Sequence, residues 1–426
     1  MMRDQPLPAP DIALAQRLFT ELQQLSFDGR GISRDSYGEG EQRAHDVLHR
    51  TARALGLRVA TDAALNLYMT LPGTLPGAPA VITGSHLDSV PCGGNFDGAA
   101  GVLAGIAVLA GWVAAGYRPQ RDVTVMAIRA EESAWFPISY LGSKAAFGLL
   151  PPSAMQTPRA DNGRTLAQHF ADRGADAAQF LAQPPWLSAA AIACFIELHI
   201  EQGPVLLNSG IPLGLVSGIC GSLRYRAARC VGRYAHSGAT PRGHRQDAVV
   251  ATAALVTGLH LQWGALEQEG HELTVTVGQF ATHPQQADFS KVSGEVAFCL
   301  DFRSRSPQTL SLMDAALRRL IDDISLRHGV RFELGEQTES APAQMDPALL
   351  ADLTRAAEQQ RVPARVMPSG AGHDAALFAA QGVPTAMLFV RNANGSHNPA
   401  ESMALADFAA ATGVLAALLA RRSDTR

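Results

Sequence analysis

Neither sign of charge is in excess in this sequence, and thiols are few. Lysine and arginine number 35 against 39 aspartates and glutamates, a formal net charge of −4, with no long run of either sign. That balance leaves no footprint for a nucleic acid or an anionic membrane surface, so neither is expected as a partner. The five cysteines are an odd number, widely scattered and without a CxxC pair, which reads as reduced thiols in a cytoplasmic protein. The opening stretch, MMRDQPLPAPDIALAQ, lacks the apolar core of a signal peptide, so export is not expected. Internal repeats and low-complexity tracts are absent as well. Only 17% of residues are charged against 47% hydrophobic, which excludes disorder as the default and gives enough apolar surface for a packed interior.

At 426 residues the chain is too long for one ordinary core and suits two domains, one inserted in the other. The runs AVITGSH, DVTVMAIRA and ACFIELHI are apolar and β-branched like buried strands, with helical stretches between them. They predict an α/β sheet covered by helices on both faces. From 212 to 336 the order changes to β-α-β-β-α-β, which predicts a ferredoxin-like α+β module interrupting a first domain of 1–211 and 337–426. TAMLFV and ADFAAATGVLAALLARR then resume the first domain. Gly98 to Gly116 is uncharged and long enough for a membrane span, but it is mostly Gly and Ala and begins directly after Asp97. It reads as a helix packed tightly inside the protein, and no membrane partner is expected.

In open α/β sheets, functional groups gather at the carboxyl ends of strands. Polar clusters stand at four such ends: His86 and Asp88, Glu131 and Glu132, the stretch from Glu197 to Gln202 with His199, and His397. Asp97 lies in the loop leading into the Gly/Ala helix. Imidazoles and carboxylates without nearby thiols suit Zn, Mn, Co or Ni and not an iron–sulfur cluster. Two such ions about 3.5–4 Å apart need one bridging carboxylate and roughly two further ligands each. Asp97 can bridge, with His86 and Glu132 on either side and His199 and His397 completing the set. Asp88, two residues after His86, can accept the other ring N–H and fix the imidazole. GGNFDG also reads as a plain turn or a phosphate loop, although it lacks the Lys-Ser/Thr of a Walker sequence. His45, His49, His169, His260 and His328 read as ordinary structural histidines.

The motifs GSHLDSV, GGNFDGAAGV, EES, ELHIEQGPVL, AHSGATP, SGAGHDA and SHNPAE, with GISRDSY before them, resemble those of the amidase/hydantoinase/carbamoylase family. These are dinuclear metal hydrolases that include N-carbamoyl-L-amino acid hydrolases, β-ureidopropionases and allantoate amidohydrolases, and the motifs span nearly the whole chain. The resemblance implies a metallopeptidase-like mixed sheet interrupted by a dimerisation domain, a homodimer, and two divalent metal ions held by His86, Asp97, Glu132, His199 and His397. It implies Glu131 as general base and His236 as oxyanion donor in the partner's site. Gln202 and Arg303 correspond to substrate-binding residues, the arginine clamping a substrate carboxylate, with Gly370 and His373 lining the same pocket.

Two departures bear on the pocket. EESAWF puts Ser133 and Trp135 where the family has glycine and arginine, and SKVSG puts Ser290 and Ser293 in place of an Asn-x-x-Pro-Gly stretch. The expected activity is hydrolysis of a linear C–N amide, foremost the N-carbamoyl group of an amino acid, giving amino acid, carbon dioxide and ammonia. Allantoate amidohydrolase and N-acyl amino acid deacylase are the alternatives. A binding protein on the same fold should have lost a ligand or the base, and all six are present.

Overall fold

The structure is a computed structural model and describes residues 7–424. The chain first lays down strands β1 (Arg58–Thr61), β2 (Leu67–Leu71), β3 (Ala80–His86), β4 (Val123–Ile128), β5 (Ile192–Ile200) and β6 (Leu213–Ile219). Helices α1 (Ile12–Ser26), α2 (Glu39–Ala54) and α3 (Ala99–Ala114) belong to the same stretch. Next come β7 (Gly221–Val231), β8 (Ala235–His236), β9 (Thr274–Thr282), β10 (Lys291–Val292), β11 (Glu295–Ser304), β12 (Arg331–Glu333) and β13 (Gln337–Ser340). Among these lie helices α4 (Ala248–Gln268) and α5 (Pro307–His328), and the chain ends with α6 (Pro347–Gln359), β14 (Thr385–Val390) and α7 (Leu405–Ser423).

Two compact units result. One runs to Ser217 and takes in Met345–Met367 and His373 onward; the other is Gly218–Gln344 with Pro368–Gly372. The boundaries expected at 211/212 and 336/337 both fall later in the chain, at 217/218 and 344/345. Strand β6 pairs antiparallel with β14, Val390 opposite Leu213 and Met387 opposite Val216, so its first half belongs to the large sheet. Strand β13 pairs with β7, Gln337 opposite Tyr225, which keeps the chain in the second unit beyond 336.

The large sheet runs β1-β2-β4-β3-β5-β14-β6. Strands β4, β3, β5 and β14 are mutually parallel, so their carboxyl ends lie on one edge. Both faces of these strands are covered, which is why they read as unbroken apolar runs. Helix α3 is buried along nearly its whole length, with Val102, Leu103, Ile106, Leu109 and Trp112 in the core. Each such side chain contributes about 1.5–3 kcal/mol of burial. Gly101 sets its approach: a Cβ there would stand 2.1 Å from the Leu198 carbonyl of β5. Only glycine lets the first turn of α3, and with it Asp97, settle against the end of β5.

In the second unit the sheet order is β12-β7-β11-β9, with β13 also on β7, the order of a ferredoxin-like split unit. Strand β11 buries alternate residues, Val296, Phe298, Leu300 and Phe302, against Leu255 and Leu259 of α4 and Met313 and Leu317 of α5. Asp247 caps α4 by accepting from the backbone N–H groups of Val249 and Val250, and Ser306 caps α5 through Thr309. Among the described residues α4 is the one helix long and apolar enough to cross a membrane by length and composition. Its inner face, Ala251, Leu255 and Leu259, is spent on this core, while Val250 and Leu261 are 49% and 70% exposed.

Candidate metal centre

The four parallel strand ends deliver their polar residues to one place. His86 is the last residue of β3, His199 the penultimate residue of β5, and Glu131 and Glu132 follow β4. Asp97 precedes α3, and His397 sits beyond β14 in the left-handed region at φ 59°. His199 Nε2 lies 3.1 Å from Asp97 Oδ1 and 3.5 Å from His86 Nε2, and His86 Nε2 lies 3.8 Å from Asp97 Oδ1. On the other side His397 Nε2 is 3.3 Å from Asp97 Oδ2 and 3.2 Å from Glu132 Oε1. One carboxylate thus turns an oxygen to each of two ligand clusters, His86–Asp97–His199 and Asp97–Glu132–His397.

The imidazoles are aimed by their outer nitrogens. Nδ1 of His86 lies 3.0 Å from the Asp88 carbonyl oxygen and 3.2 Å from Asp88 Oδ1, and Nδ1 of His199 lies 2.9 Å from the Ile200 carbonyl. Donation there leaves each Nε2 as a lone pair facing inward, and the Gly98 N–H, 3.2 Å from His199 Nε2, points at that lone pair. Asp97 Oδ1 is buried and makes no hydrogen bond of good geometry with the described residues. An orphaned buried carboxylate oxygen facing two nitrogen lone pairs fits a divalent cation.

The rest of the shell is held as firmly. Glu401 accepts from the N–H groups of Phe96 and Asp97, and the single hydroxyl proton of Ser396 lies between Glu401 Oε2 and Asp97 Oδ2. Arg34 is fully buried and donates to the carbonyl oxygens of Leu87 and Asp97, tying the His86 strand end to the Asp97 loop. Asp88 accepts the N–H groups of Glu131 and Glu132 on separate oxygens, so the residue beside His86 also seats both glutamates. Neither Arg34 nor Glu401 stands out in the sequence, although both lie in family-like motifs, GISRDSY and SHNPAE.

Electrostatics follow from burial and crowding. Burial, with the negative charges of Glu132, Asp374 and Asp88, raises Glu131 well above the usual carboxylate range, against the opposing pull of His86. Hydrogen bonds from His397 to Asp97 and Glu132 push its imidazole up to about 10. Burial works to lower His86, but the Asp88 hydrogen bond and the charges of Glu131, Asp88 and Asp97 outweigh it and hold it well above its ordinary value. A third possible cluster, Glu197–His199–His373, is differently constituted. Glu197 spends one oxygen on Ser85 Oγ and the other on the Ala375 N–H, and His199 directs its Nε2 to Asp97.

The remaining expected residues fall into three groups. Gln202 is beside the centre, at φ 65°, with Nε2 donating to Asp97 Oδ2 at 2.9 Å. His373 is buried with its ring edge-on to His199, 4.5 Å between centroids, beneath the ligand layer. His236, Ser290, Arg303 and Gly370 lie in the second unit. There Arg303 donates Nε and Nη2 to Asp301 Oδ2 and Nη1 to the Gly370 carbonyl. Nδ1 of the exposed His236 accepts from the N–H groups of Gly238 and Ala239, which leaves the ring proton on Nε2. Ser290 donates to Asp288 and Ser293 to the Glu295 carbonyl. Trp135, one of the departures from the family pattern, is a core side chain: its indole N–H meets the Ser89 carbonyl at 2.7 Å and Arg159 covers its ring at 5.3 Å.

A buried carboxylate between two His/carboxylate clusters at the edge of a mixed sheet is an arrangement that could hold metal ions. Residues 82–421 match the peptidase family M20/M25/M40. The chain is 34% identical to the N-carbamoyl-L-amino acid amidohydrolase of Geobacillus stearothermophilus, over 94% of this chain and 96% of that one. It is 33% identical to the allantoate amidohydrolase of Escherichia coli (strain K12), over 91% and 92%. The crystal structure of a hydantoinase/carbamoylase family amidase from Burkholderia multivorans superposes with a TM-score of 0.88 at 29% identity, covering 99% of this chain and 100% of that one. The chain belongs to the M20/M25/M40 family and, within it, to the amidase/hydantoinase/carbamoylase enzymes, hydrolases of carbon–nitrogen bonds other than peptide bonds.

Proposed function

We propose that this enzyme hydrolyses the N-carbamoyl group of an amino acid, releasing the amino acid, carbon dioxide and ammonia. The observation that carries the reading is the disposition of Asp97, one oxygen toward His86 and His199, the other toward His397 and Glu132. Those five residues would hold two divalent ions, zinc or else manganese, cobalt or nickel. Ions bound there supply a water of lowered pKa and polarise the substrate carbonyl. Glu131, raised by burial and by neighbouring carboxylates, takes a proton from the attacking water and returns it to the departing nitrogen as the first carbon–nitrogen bond breaks, and the carbamic acid left then loses carbon dioxide and frees the second nitrogen. In the dimer proposed below, His236 serves the partner subunit's site, where its Nε2–H is the donor suited to the developing oxyanion. Arg303, with its guanidinium oriented by Asp301 and Gly370, binds the substrate carboxylate, and Gln202, Ser290, Gly370 and His373 complete the substrate surface.

We also propose a homodimer through the second unit. The exposed apolar face of α4 and the edge strand β9, with Phe280 exposed on it, are surfaces of the kind a second copy covers. Five free cysteines support a reducing, cytoplasmic setting.

The test is ammonia release from N-carbamoyl-L- and D-amino acids, N-carbamoyl-β-alanine and allantoate, with protein reconstituted separately with zinc, manganese, cobalt and nickel. Release from the N-carbamoyl compounds, lost on chelation, is the expected result. Release from allantoate alone moves the assignment to the relative of nearly equal identity. Silence across the panel overturns the substrate reading.

A further inference from the structure

Where the chain leaves β4, four consecutive backbone N–H groups are taken by side chains. Asn66 Oδ1 accepts from Arg129, Glu41 Oε1 from Ala130 at 2.9 Å, and the two oxygens of Asp88 from Glu131 and Glu132. The carbonyls of Arg129, Ala130 and Glu131 are engaged in turn by the N–H groups of Gly142, Leu141 and Tyr140. Glu41 is the charged member of this set with no part in the chemistry described above. It is 0% exposed, and its second oxygen accepts from the Tyr37 N–H at 2.7 Å and from Arg129 Nη1 at 3.1 Å.

The two backbone groups it binds share an unusual feature: Ala130 has φ 49° and Tyr37 has φ 52°, both left-handed. Neither is glycine, so each conformation is disfavoured in isolation and persists only where its surroundings impose it. One buried carboxylate accepts both N–H groups, and the residue after Ala130 is Glu131.

We infer that Glu41 is a positioning residue for the metal centre, holding Ala130 left-handed so that Glu131 and Glu132 leave the strand at the angle the site requires. The inference rests on the roles assigned above to those two glutamates. Glu41 touches neither substrate nor ion; it acts through the main chain. Glu41 stands on α2 and its partners are Tyr37 just before that helix and Arg129 and Ala130 just after β4, so the start of α2 sets the aim of a base and a ligand held on another element.

The experiment compares Glu41→Gln, Ala130→Gly, the double variant and Ala130→Val, reading metal affinity by chelator competition alongside kcat, KM and Tm. A glutamine has one acceptor oxygen and cannot hold both N–H groups. Glu41→Gln is expected to weaken metal binding and lower kcat by about 10- to 100-fold, the range for residues that support ligands, with KM little changed. Glycine adopts positive φ without support, so adding Ala130→Gly should restore both readouts in part while Tm stays low. Ala130→Val keeps the carboxylate but resists positive φ, and should reproduce the loss. Unchanged metal affinity in Glu41→Gln or in Ala130→Val, or no recovery in the double variant, overturns the inference. Metal affinity reads Glu41 even where the wild-type enzyme is silent on the substrate panel, so failure of the substrate reading is told apart from failure of this one.

Discussion

The residues assigned to metal and those assigned to substrate are held in opposite ways. Around Asp97 the side chains are mostly buried and tied through several contacts: the outer nitrogens of His86 and His199 to carbonyls, Glu131 and Glu132 by their N–H groups to Asp88, the Asp97 main chain to Glu401 and Arg34. In the second unit His236 is exposed and fixed by two backbone N–H groups, and Ser290 is half-buried with its hydroxyl on the nearby Asp288. The proposed metal centre is pre-organised, whereas His236, Ser290 and Arg303, proposed for substrate, are side chains that solvent reaches at least in part. A scaffold of this kind keeps its chemistry while its substrate changes.

The contrast is broken most severely at Asp97. Asp97→Asn replaces one anionic oxygen with an amide nitrogen, and the expected result is loss of two-ion binding and of turnover together, read by metal analysis after desalting and by ammonia release. Retention of both ions would mean that Asp97 does not bridge. A smaller effect is expected on the exposed side. Arg303→Lys loses the planar fork, and a charged hydrogen bond of about 1.5–3 kcal/mol corresponds to a KM increase of about 10- to 100-fold. kcat and metal content should move little; an equal fall in metal content would place Arg303 in the supporting shell.

The smallest effect is a proton count. His397 is raised from 6.5 to about 10 by hydrogen bonds to Asp97 and Glu132. A group raised on folding stabilises the metal-free chain fully below its unfolded value of about 6.5, and that contribution is lost as pH rises through about 10. At pH 8 a metal ion must therefore displace this proton, and apparent metal affinity should climb with pH across that window. Calorimetric titration in two buffers of different ionisation enthalpy should show proton release at pH 8 that diminishes above pH 10. Equal heats in both buffers at pH 8 would contradict it.

The strands that bear the candidate ligands were legible because buried parallel strands read as apolar runs, and each of AVITGSH, VTVMAIRAEE and ACFIELHIEQ ends in polar residues that burial alone does not explain. The buttresses were not, because their meaning is tertiary. Glu41 stands in the first turn of α2, where a carboxylate is the ordinary choice, and nothing local shows that it reaches Ala130. The first domain boundary was misplaced for a similar reason: β6 follows a short loop like a new beginning, but its partner β14 comes far later in the chain. Trp135 looked like a change to the pocket, and its indole instead packs inward against Ser89 and Arg159.

The most direct test of the account is the behaviour of Glu131→Gln, measured as metal ions bound per chain and ammonia released from the best N-carbamoyl substrate. Glutamine preserves the shape and the backbone hydrogen bond to Asp88 but accepts no proton. The account predicts two ions bound in wild type and variant alike, with kcat reduced by about 10²- to 10⁴-fold, the span of a lost general base. Equal turnover in the two proteins, or loss of metal from the variant, would contradict it.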